Sequence, residues 1–213
     1  MIHLNKISKS FSGKFIFKDA SLKINSGENI VLTGHNGSGK TTLLMILKEL
    51  YAVDKGTYQL DSKKLNQSLI SYISKRNNSF FMRLTVKQNL KFFYDLCINR
   101  NKVSMDEIFF MLKEFNLIEY LNCEFMSLSS GQAQKLSIIR GLMRNPTLAI
   151  FDESFSSLDK DSKEKFKKIY GTHLQKDNTK STIWVTHNKY ELDFINKRYL
   201  KIENKKILED YDP

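Results

Sequence analysis

The sequence predicts an α/β fold that combines a parallel sheet, an N-terminal antiparallel β portion and an inserted helical lobe. Short apolar runs at residues 30–32, 147–151 and 182–186 have the length and composition that a parallel strand buried on both faces needs. β-like runs separated by turns fill residues 2–33, whereas residues 85–145 repeat apolar side chains at helical spacing. This order of elements indicates a helical lobe inserted into a sheet-based core.

The individual elements follow from the same periodicities and from the turn residues between them. The expected strands are residues 2–7, 15–24, 28–33, 57–60, 69–73, 147–151, 182–186, 199–202 and 206–208. One helix is expected at residues 43–50, and another at residues 160–175, where it connects two buried strands as a crossover. The last two strands are expected to close the chain as edge strands.

Size and composition fit one globular domain. A chain of 213 residues with 41% hydrophobic content can bury a core of its own. The two cysteines, Cys97 and Cys123, form no C-x-x-C pair, so neither a zinc site nor a disulfide framework is predicted, and a reducing compartment is expected. Apolar runs are short and the N-terminus lacks the apolar core of a signal peptide, so the chain is expected neither to cross a membrane nor to be exported.

The net charge of +11 raises the question of a nucleic-acid partner. The 34 basic and 23 acidic residues are scattered, and the densest basic group lies on the predicted helix 160–175 together with Asp161 and Glu164. Mixed charges on one helix are typical of a solvated face. We therefore expect no nucleic acid among the partners.

A phosphate-binding loop is predicted between a buried strand and a helix. The residues of the loop are Gly34, His35, Asn36, Gly37, Ser38, Gly39, Lys40, Thr41 and Thr42. They fit the pattern G-x-x-x-x-G-K-[ST], in which backbone N–H groups and a helix N-terminus surround a triphosphate. Lys40 supplies a point charge for the β- and γ-phosphates, and the Thr41 hydroxyl is placed to hold Mg²⁺. The alternative, an ordinary glycine-rich turn, gives no reason for the strand and helix on either side.

Two carboxylates end a second buried strand. Asp152 and Glu153 follow residues 148–151, at the end of a parallel strand where open α/β sheets bind their ligands. Asp152 can orient a water on Mg²⁺, and Glu153 can polarise the water that attacks the γ-phosphate. Without the phosphate loop, an acidic strand end before a turn is the simpler interpretation.

The segment Leu128-Ser129-Ser130-Gly131-Gln132 has two interpretations. Ser129 and Gln132 form a capping box for a helix that ends near Pro146, and this alone explains the local structure. The segment also precedes Asp152, and together with the two motifs above it resembles the ATP-binding-cassette (ABC) ATPases. Their signature L-S-G-G-Q matches here at every position except the third, where Ser130 replaces glycine.

The resemblance assigns further residues. Ser157-Leu158-Asp159 is similar to the family's D-loop, and His187 stands at the position of its switch histidine, which contacts the γ-phosphate. Phe11 corresponds to the aromatic residue that stacks on adenine. From the residues alone, Phe11 would be a partly buried strand residue and His187 a strand-end histidine with a local hydrogen bond.

One position departs from the family pattern. After the strand at residues 69–73 the family has a glutamine that touches Mg²⁺ and the attacking water and couples to the transport partner, whereas this chain has Ser74-Lys75-Arg76. A protonated Lys75 has no lone pair with which to bind a cation. Coupling to a partner is therefore expected to differ. Ser154, where proline commonly follows the catalytic glutamate, is a smaller departure.

The resemblance implies a single ABC ATPase domain. Its α/β core would comprise residues 1–66 and 146–213, and its helical lobe residues 67–145, ending in the signature helix. ATP would be sandwiched between the phosphate loop of one copy and Ser129, Gly131 and Gln132 of another, so a dimer, more simply a homodimer, is implied.

The same resemblance implies the cellular role. The expected partner is a separate transmembrane permease subunit, which would hold the chain at the cytoplasmic side of the cell membrane, and the short C-terminus favours an exporter. The rival class is a soluble ABC ATPase, such as an iron–sulfur assembly or nucleic-acid-associated factor. A repair-type ATPase would need a long coiled coil, for which there is no room between Lys40 and Leu128. A nucleotide kinase would leave the signature and His187 unexplained.

Overall fold

The structure is a computed structural model that describes residues 2–61, 69–75, 79–97, 102–186 and 189–210. Its strands are β1 (Ile2–Phe11), β2 (Lys14–Ile24), β3 (Asn29–Thr33), β4 (Lys55–Leu60), β5 (Ile70–Ser74), β6 (Leu148–Asp152), β7 (Ser181–Val185), β8 (Arg198–Glu203) and β9 (Lys206–Glu209). Its helices are α1 (Lys40–Leu47), α2 (Val86–Asp95), α3 (Met105–Glu114), α4 (Ser130–Leu142) and α5 (Lys160–Tyr170).

The strands form two sheets, as the sequence predicted. A three-stranded antiparallel sheet has the order β2-β1-β4, and a six-stranded sheet has the order β5-β6-β7-β3-β8-β9. The pairs from β5 to β8 are parallel, and only β9 pairs in the antiparallel direction. The α/β class with an N-terminal antiparallel portion is therefore confirmed.

Strand β6 shows why the central strands are continuous apolar runs. Leu148 and Ile150 pack into the core on the side of β1, β2 and α1, and Ala149 and Phe151 pack into the core on the side of the longer helices. Phe151 stacks on Trp184 of β7 with ring centroids 4.0 Å apart. Because alternate side chains enter opposite cores, neither face of the strand tolerates a polar residue.

Among the described residues, three α-helices lie between β5 and β6 along the chain, and each begins with a capping box. The capping pairs are Thr85 with Gln88 for α2, Ser104 with Glu107 for α3, and Ser129 with Gln132 for α4. The sequence-based boundary of the lobe at residues 67–145 needs a correction, since it includes β5. Strand β5 pairs with β6 in the six-stranded sheet and so belongs to the core. Gln67 itself lies outside the described residues.

Two further predictions differ from the structure at the C-terminal end. The crossover helix expected to reach Gln175 is an α-helix only to Tyr170, and residues Gly171–Gln175 form a π-helical turn. Strand β8 is not an edge strand, because it lies between β3 and β9.

Within the described residues, no helix combines the length and the apolar character needed to cross a bilayer.

Candidate nucleotide site

The predicted phosphate loop joins β3 to α1, as its sequence context indicated. All three of its glycines have backbone angles that other residues rarely adopt, with φ of 143° at Gly34, 78° at Gly37 and 111° at Gly39. A Cβ on Gly39 would also lie 2.6 Å from Cγ2 of Ile16 in β2. Gly39 therefore lets the small sheet approach the start of α1 closely, and the chain enters the helix in a conformation that exposes its first N–H groups.

Lys40 lies across the loop that precedes it. Its ammonium group donates to the carbonyl oxygens of Gly34 at 2.7 Å and His35 at 3.2 Å. The N–H of Ser38 donates to the same His35 carbonyl at 3.1 Å, which closes a turn. The Ser38 hydroxyl is buried and finds no hydrogen-bond partner among the described residues. A buried hydroxyl in this state is costly, and a phosphate oxygen in the loop would satisfy it.

The two carboxylates lie at the same sheet edge as the loop. Strand β7 separates β6 from β3, and its Val185 is paired with Asp152 on one side and with Leu32 on the other. Because neighbouring strands are about 4.8 Å apart, the Asp152 backbone lies about 10 Å from the strand that enters the loop. The register thus brings Asp152 level with the start of the phosphate loop.

Glu153 has an unusual backbone conformation, with φ of 52°. This left-handed angle is uncommon for a residue other than glycine and is held here by two hydrogen bonds. The Glu153 N–H donates to the Val185 carbonyl at 3.0 Å, and the Ser156 hydroxyl donates to the Glu153 carbonyl at 2.8 Å. Strained residues of this kind cluster at functional sites.

Tyr72 is part of the site that the sequence analysis missed. Its hydroxyl donates to Oδ2 of Asp152 at 2.5 Å, and the backbone N–H of Lys75 donates to the Asp152 carbonyl at 3.1 Å. Strand β5 therefore positions both the backbone and the side chain of Asp152. The apolar run that predicted β5 carried no signal for this contact, since the two residues are 80 positions apart.

We expect Tyr72→Phe to raise the Mg²⁺ concentration needed for half-maximal ATP binding by about two- to tenfold, since a hydrogen bond contributes about 0.5–1.5 kcal/mol. Binding of a fluorescent ATP analogue during a Mg²⁺ titration measures this. Tyr170→Phe is the matched control, because it removes a phenol that donates to Asn29 Oδ1 at 2.8 Å, away from Asp152. An unchanged Mg²⁺ requirement in Tyr72→Phe would contradict a positioning role.

The signature segment forms the capped N-terminus of α4. The Ser129 hydroxyl accepts from the Gln132 N–H at 3.3 Å, and the Gln132 side chain accepts from the Ser129 N–H at 2.8 Å. Ser129 and Ser130 are exposed, and a Cβ on Gly131 would meet nothing within 4 Å. The predicted capping box is confirmed, and its exposed helix end can receive an anion from outside the chain.

The remaining predicted site residues are Asp159, Phe11 and His187. Asp159 caps α5, where its Oδ1 accepts from the Ser162 N–H at 2.8 Å, and this bond holds the pKa of Asp159 below its ordinary value. Phe11 ends β1 and is 42% exposed, with its ring in edge contact with that of Tyr51 at 5.4 Å between centroids. The Lys9 ammonium also lies over this ring, 5.1 Å from its centroid, and stacking of a planar base on Phe11 stays a prediction. His187 lies outside the described residues.

The donor set at the sheet edge suits magnesium. Thr41 and Asp152 offer hard oxygen ligands, and Mg²⁺ typically takes one or two protein ligands together with phosphates and waters. Across the described ranges, no group of three or more His, Cys, Asp or Glu residues could hold a metal alone. The site therefore fits a magnesium ion that arrives with a nucleotide better than a closed all-protein metal centre.

One family model matches the part of the chain that contains the phosphate loop, the signature segment and the two carboxylates. The family model described as ABC transporter matches residues 17–156, about two thirds of the chain. The chain is 28% identical over 209 residues to the ergothioneine transport ATP-binding protein EgtV of Helicobacter pylori (strain G27), covering 95% of this chain and 97% of that protein.

A longer relative bears on the expected transport direction. The chain is 28% identical over 218 residues to the spermidine/putrescine import ATP-binding protein PotA of Pasteurella multocida (strain Pm70), covering 100% of this chain and 58% of that protein. The sequence-based preference for an exporter gains no support from this name, which describes an import protein.

The fold is also similar to that of solved structures. A dimeric ATP-binding cassette in a post-hydrolysis state, bound to ADP and Pi, superposes with a TM-score of 0.80 at 23% identity. The match covers 99% of this chain and 98% of that one. At this identity the comparison establishes the fold.

Proposed function

The chain belongs to the ABC transporter family, whose ATP-binding subunits hydrolyse ATP, and from that premise we propose that it powers a separate membrane-spanning permease. The observation that carries the proposal is the arrangement at one sheet edge. The glycine-bearing loop with Lys40 follows β3, and Asp152 and Glu153 lie at the end of β6. Only β7 lies between these two parallel strands, so the loop and the carboxylates are at the same edge of the sheet. A phosphate cradle beside two carboxylates supports hydrolysis of a nucleoside triphosphate.

We propose the following division of work among the residues of the site. Lys40 and the loop N–H groups bind the β- and γ-phosphates, and the Phe11 ring stacks on the base. Thr41 and Asp152 would hold Mg²⁺, which when bound neutralises charge on the phosphate oxygens. Glu153 accepts a proton from the attacking water. The family resemblance adds His187 as a γ-phosphate contact.

A second copy of the chain completes each site in this proposal. The exposed N-terminus of α4, with Ser129, Gly131 and Gln132, would face the γ-phosphate bound by the other copy. Its N–H groups and helix dipole favour an anion there. Asp159 would lie at the junction of the copies, as the resemblance to the D-loop implies. Two identical chains suffice for this arrangement, so we propose a homodimer. Within each copy, α2, α3 and α4 would form the helical lobe.

The proposed place of the chain is at the cytoplasmic face of the membrane, bound to the permease. The direction of transport would be set by that partner, since the ATPase chemistry is the same for either direction.

Co-purification tests the partnership with the permease. The tagged chain should retain a multi-helix membrane protein in mild detergent, and the ATPase rate of the complex should respond to the transported substrate. Stimulation instead by an iron–sulfur scaffold protein would favour the soluble alternative.

We expect Lys75→Ala to leave the ATPase rate of the isolated chain within about twofold, a barrier change below about 0.4 kcal/mol. The Lys75 side chain is exposed, and exposed charges interact weakly and are screened by salt. Stimulation by the permease should change instead, because this position follows β5 where the family couples to its partner. Steady-state ATPase assays with and without the permease measure both effects. A tenfold loss in the isolated chain would assign Lys75 to the chemistry.

A further inference from the structure

The loop that carries the proposed base runs from the end of β6 to the start of α5. Its first residue is Glu153, and its last is Asp159, which caps α5. Both would act in the proposed ATPase, Glu153 as the proton acceptor and Asp159 at the junction of the copies. Such a loop has to be held in one geometry, because displacing a reacting group by about 1 Å can cost about 10²-fold in rate.

Hydrogen bonds within the loop fix its shape but not its place. The Ser156 hydroxyl donates to the Glu153 carbonyl at 2.8 Å, and the Ser157 hydroxyl donates to the Ser154 carbonyl at 3.2 Å. The Glu153 N–H donates to the Val185 carbonyl at 3.0 Å, which joins the first end of the loop to the end of β7. The other end continues into α5, so its position relative to β7 depends on how α5 is attached to that strand.

An ion pair attaches α5 to the chain that follows β7. The Lys163 ammonium, near the start of α5, lies 2.7 Å from Oε1 of Glu191, and the two side chains are only 22% and 12% exposed. The other carboxylate oxygen of Glu191 accepts from the hydroxyl of Thr186, the residue directly after β7, at 3.4 Å. Salt screens a pair that is shielded from water in this way less than it screens a surface pair.

Lys163 also contacts the loop itself. Its ammonium lies 5.6 Å from the ring centroid of Phe155, a loop residue that is buried. The Phe155 ring is in turn in edge contact with Trp184 of β7, with centroids 5.8 Å apart. An ammonium over an aromatic ring is attracted to it. One side chain therefore joins α5, the loop and the carboxylate that follows β7.

We propose that Lys163 and Glu191 are positioning residues for ATP hydrolysis. The pair closes a ring of contacts, in which Glu153 bonds to the end of β7, Thr186 beside it bonds to Glu191, and Lys163 bonds to Glu191 from α5. This ring holds the loop against β7, the strand next to the one that enters the phosphate loop. In this role neither residue contacts the nucleotide, and the role rests on the proposed function of the chain.

Lys163→Met in the full chain tests the role, because methionine keeps much of the side-chain length and has no donor. We expect kcat for ATP to fall by about tenfold or more, with KM and the equilibrium affinity for ATP within about twofold, since the phosphate loop is unchanged. Glu191→Gln should act in the same way. Lys163→Arg should keep most of the rate, because a guanidinium can bond to the same carboxylate.

Lys165→Met is the matched control. Lys165 lies on the same helix, its side chain is also 22% exposed, and its ammonium lies 2.7 Å from a carboxylate oxygen of Asp161. That pair lies within α5 and does not reach β7. Its loss should therefore leave kcat within about twofold.

Amide hydrogen exchange gives a readout that needs no turnover. In Lys163→Met, exchange of the amides of residues 153–159 should become faster by about fivefold or more, whereas exchange in α4 should stay within about twofold. An equal increase in the loop and in α4 would indicate a general loss of stability and would overturn the proposal.

The proposal is also overturned when Lys163→Met keeps the kcat of the unchanged chain, or when its loop exchanges no faster. Should Lys163→Met fail to fold, the same two measurements on Glu191→Gln decide in its place. A lack of ATP hydrolysis by the unchanged chain would instead contradict the proposed function. The exchange result would then still decide whether the pair holds the loop.

Discussion

Glu153→Gln is expected to stop ATP turnover while leaving ATP binding intact. The amide keeps the shape of the side chain and loses only the proton acceptor, a change that typically costs about 10²- to 10⁴-fold in rate. Glutamine can adopt the φ of 52° that Glu153 has as readily as glutamate can, so the strained backbone should persist in the variant. ATP should then accumulate in a bound dimer, which size-exclusion chromatography with and without ATP detects.

Glu49→Gln provides the matched control for this variant. Glu49 also has a left-handed backbone, with φ of 56°, but it follows α1 at the end remote from the phosphate loop. Its substitution should leave turnover unchanged, which separates loss of the base from a general effect of neutralising a strained glutamate. Hydrolysis by Glu153→Gln at the rate of the unchanged chain would mean that another group activates the water.

Lys40→Ala is expected to weaken MgATP binding by about 10- to 150-fold, because a charge-assisted contact to phosphate contributes about 1.5–3 kcal/mol. The loss should depend on the phosphates, so it should be large for ATP and small for adenosine. Equilibrium titration with fluorescent analogues of both ligands measures the difference. Lys40 also joins two carbonyls of its own loop, so a thermal melt of the variant is needed to establish that the fold is retained.

Lys113→Ala serves as the control for this experiment. It removes one positive charge from an exposed position on α3 and therefore changes the net charge by the same amount. Its affinity for ATP should match that of the unchanged chain. Equal affinities for Lys40→Ala and the unchanged chain would show that the loop does not bind the phosphates.

The sequence alone predicted those structural features whose pattern spans only a few residues. Ser129 and Gln132 are three positions apart, and the capping box they predicted is the one that begins α4. The pattern of the phosphate loop is equally local, because its glycines, Lys40 and the N-terminus of α1 lie within a few positions of one another. The alternation of side chains along β6 likewise follows from its own apolar run.

The tertiary structure decided where distant parts of the chain meet. The run that forms β5 predicted a strand but not its place beside β6, so the sequence assigned it to the helical lobe. The contact from Tyr72 to Asp152 depends on that placement. Local periodicity determines which residues form a strand or a helix and which face is apolar. Strand order and register depend on which partner buries that face, and a single run of residues carries no information about its partner.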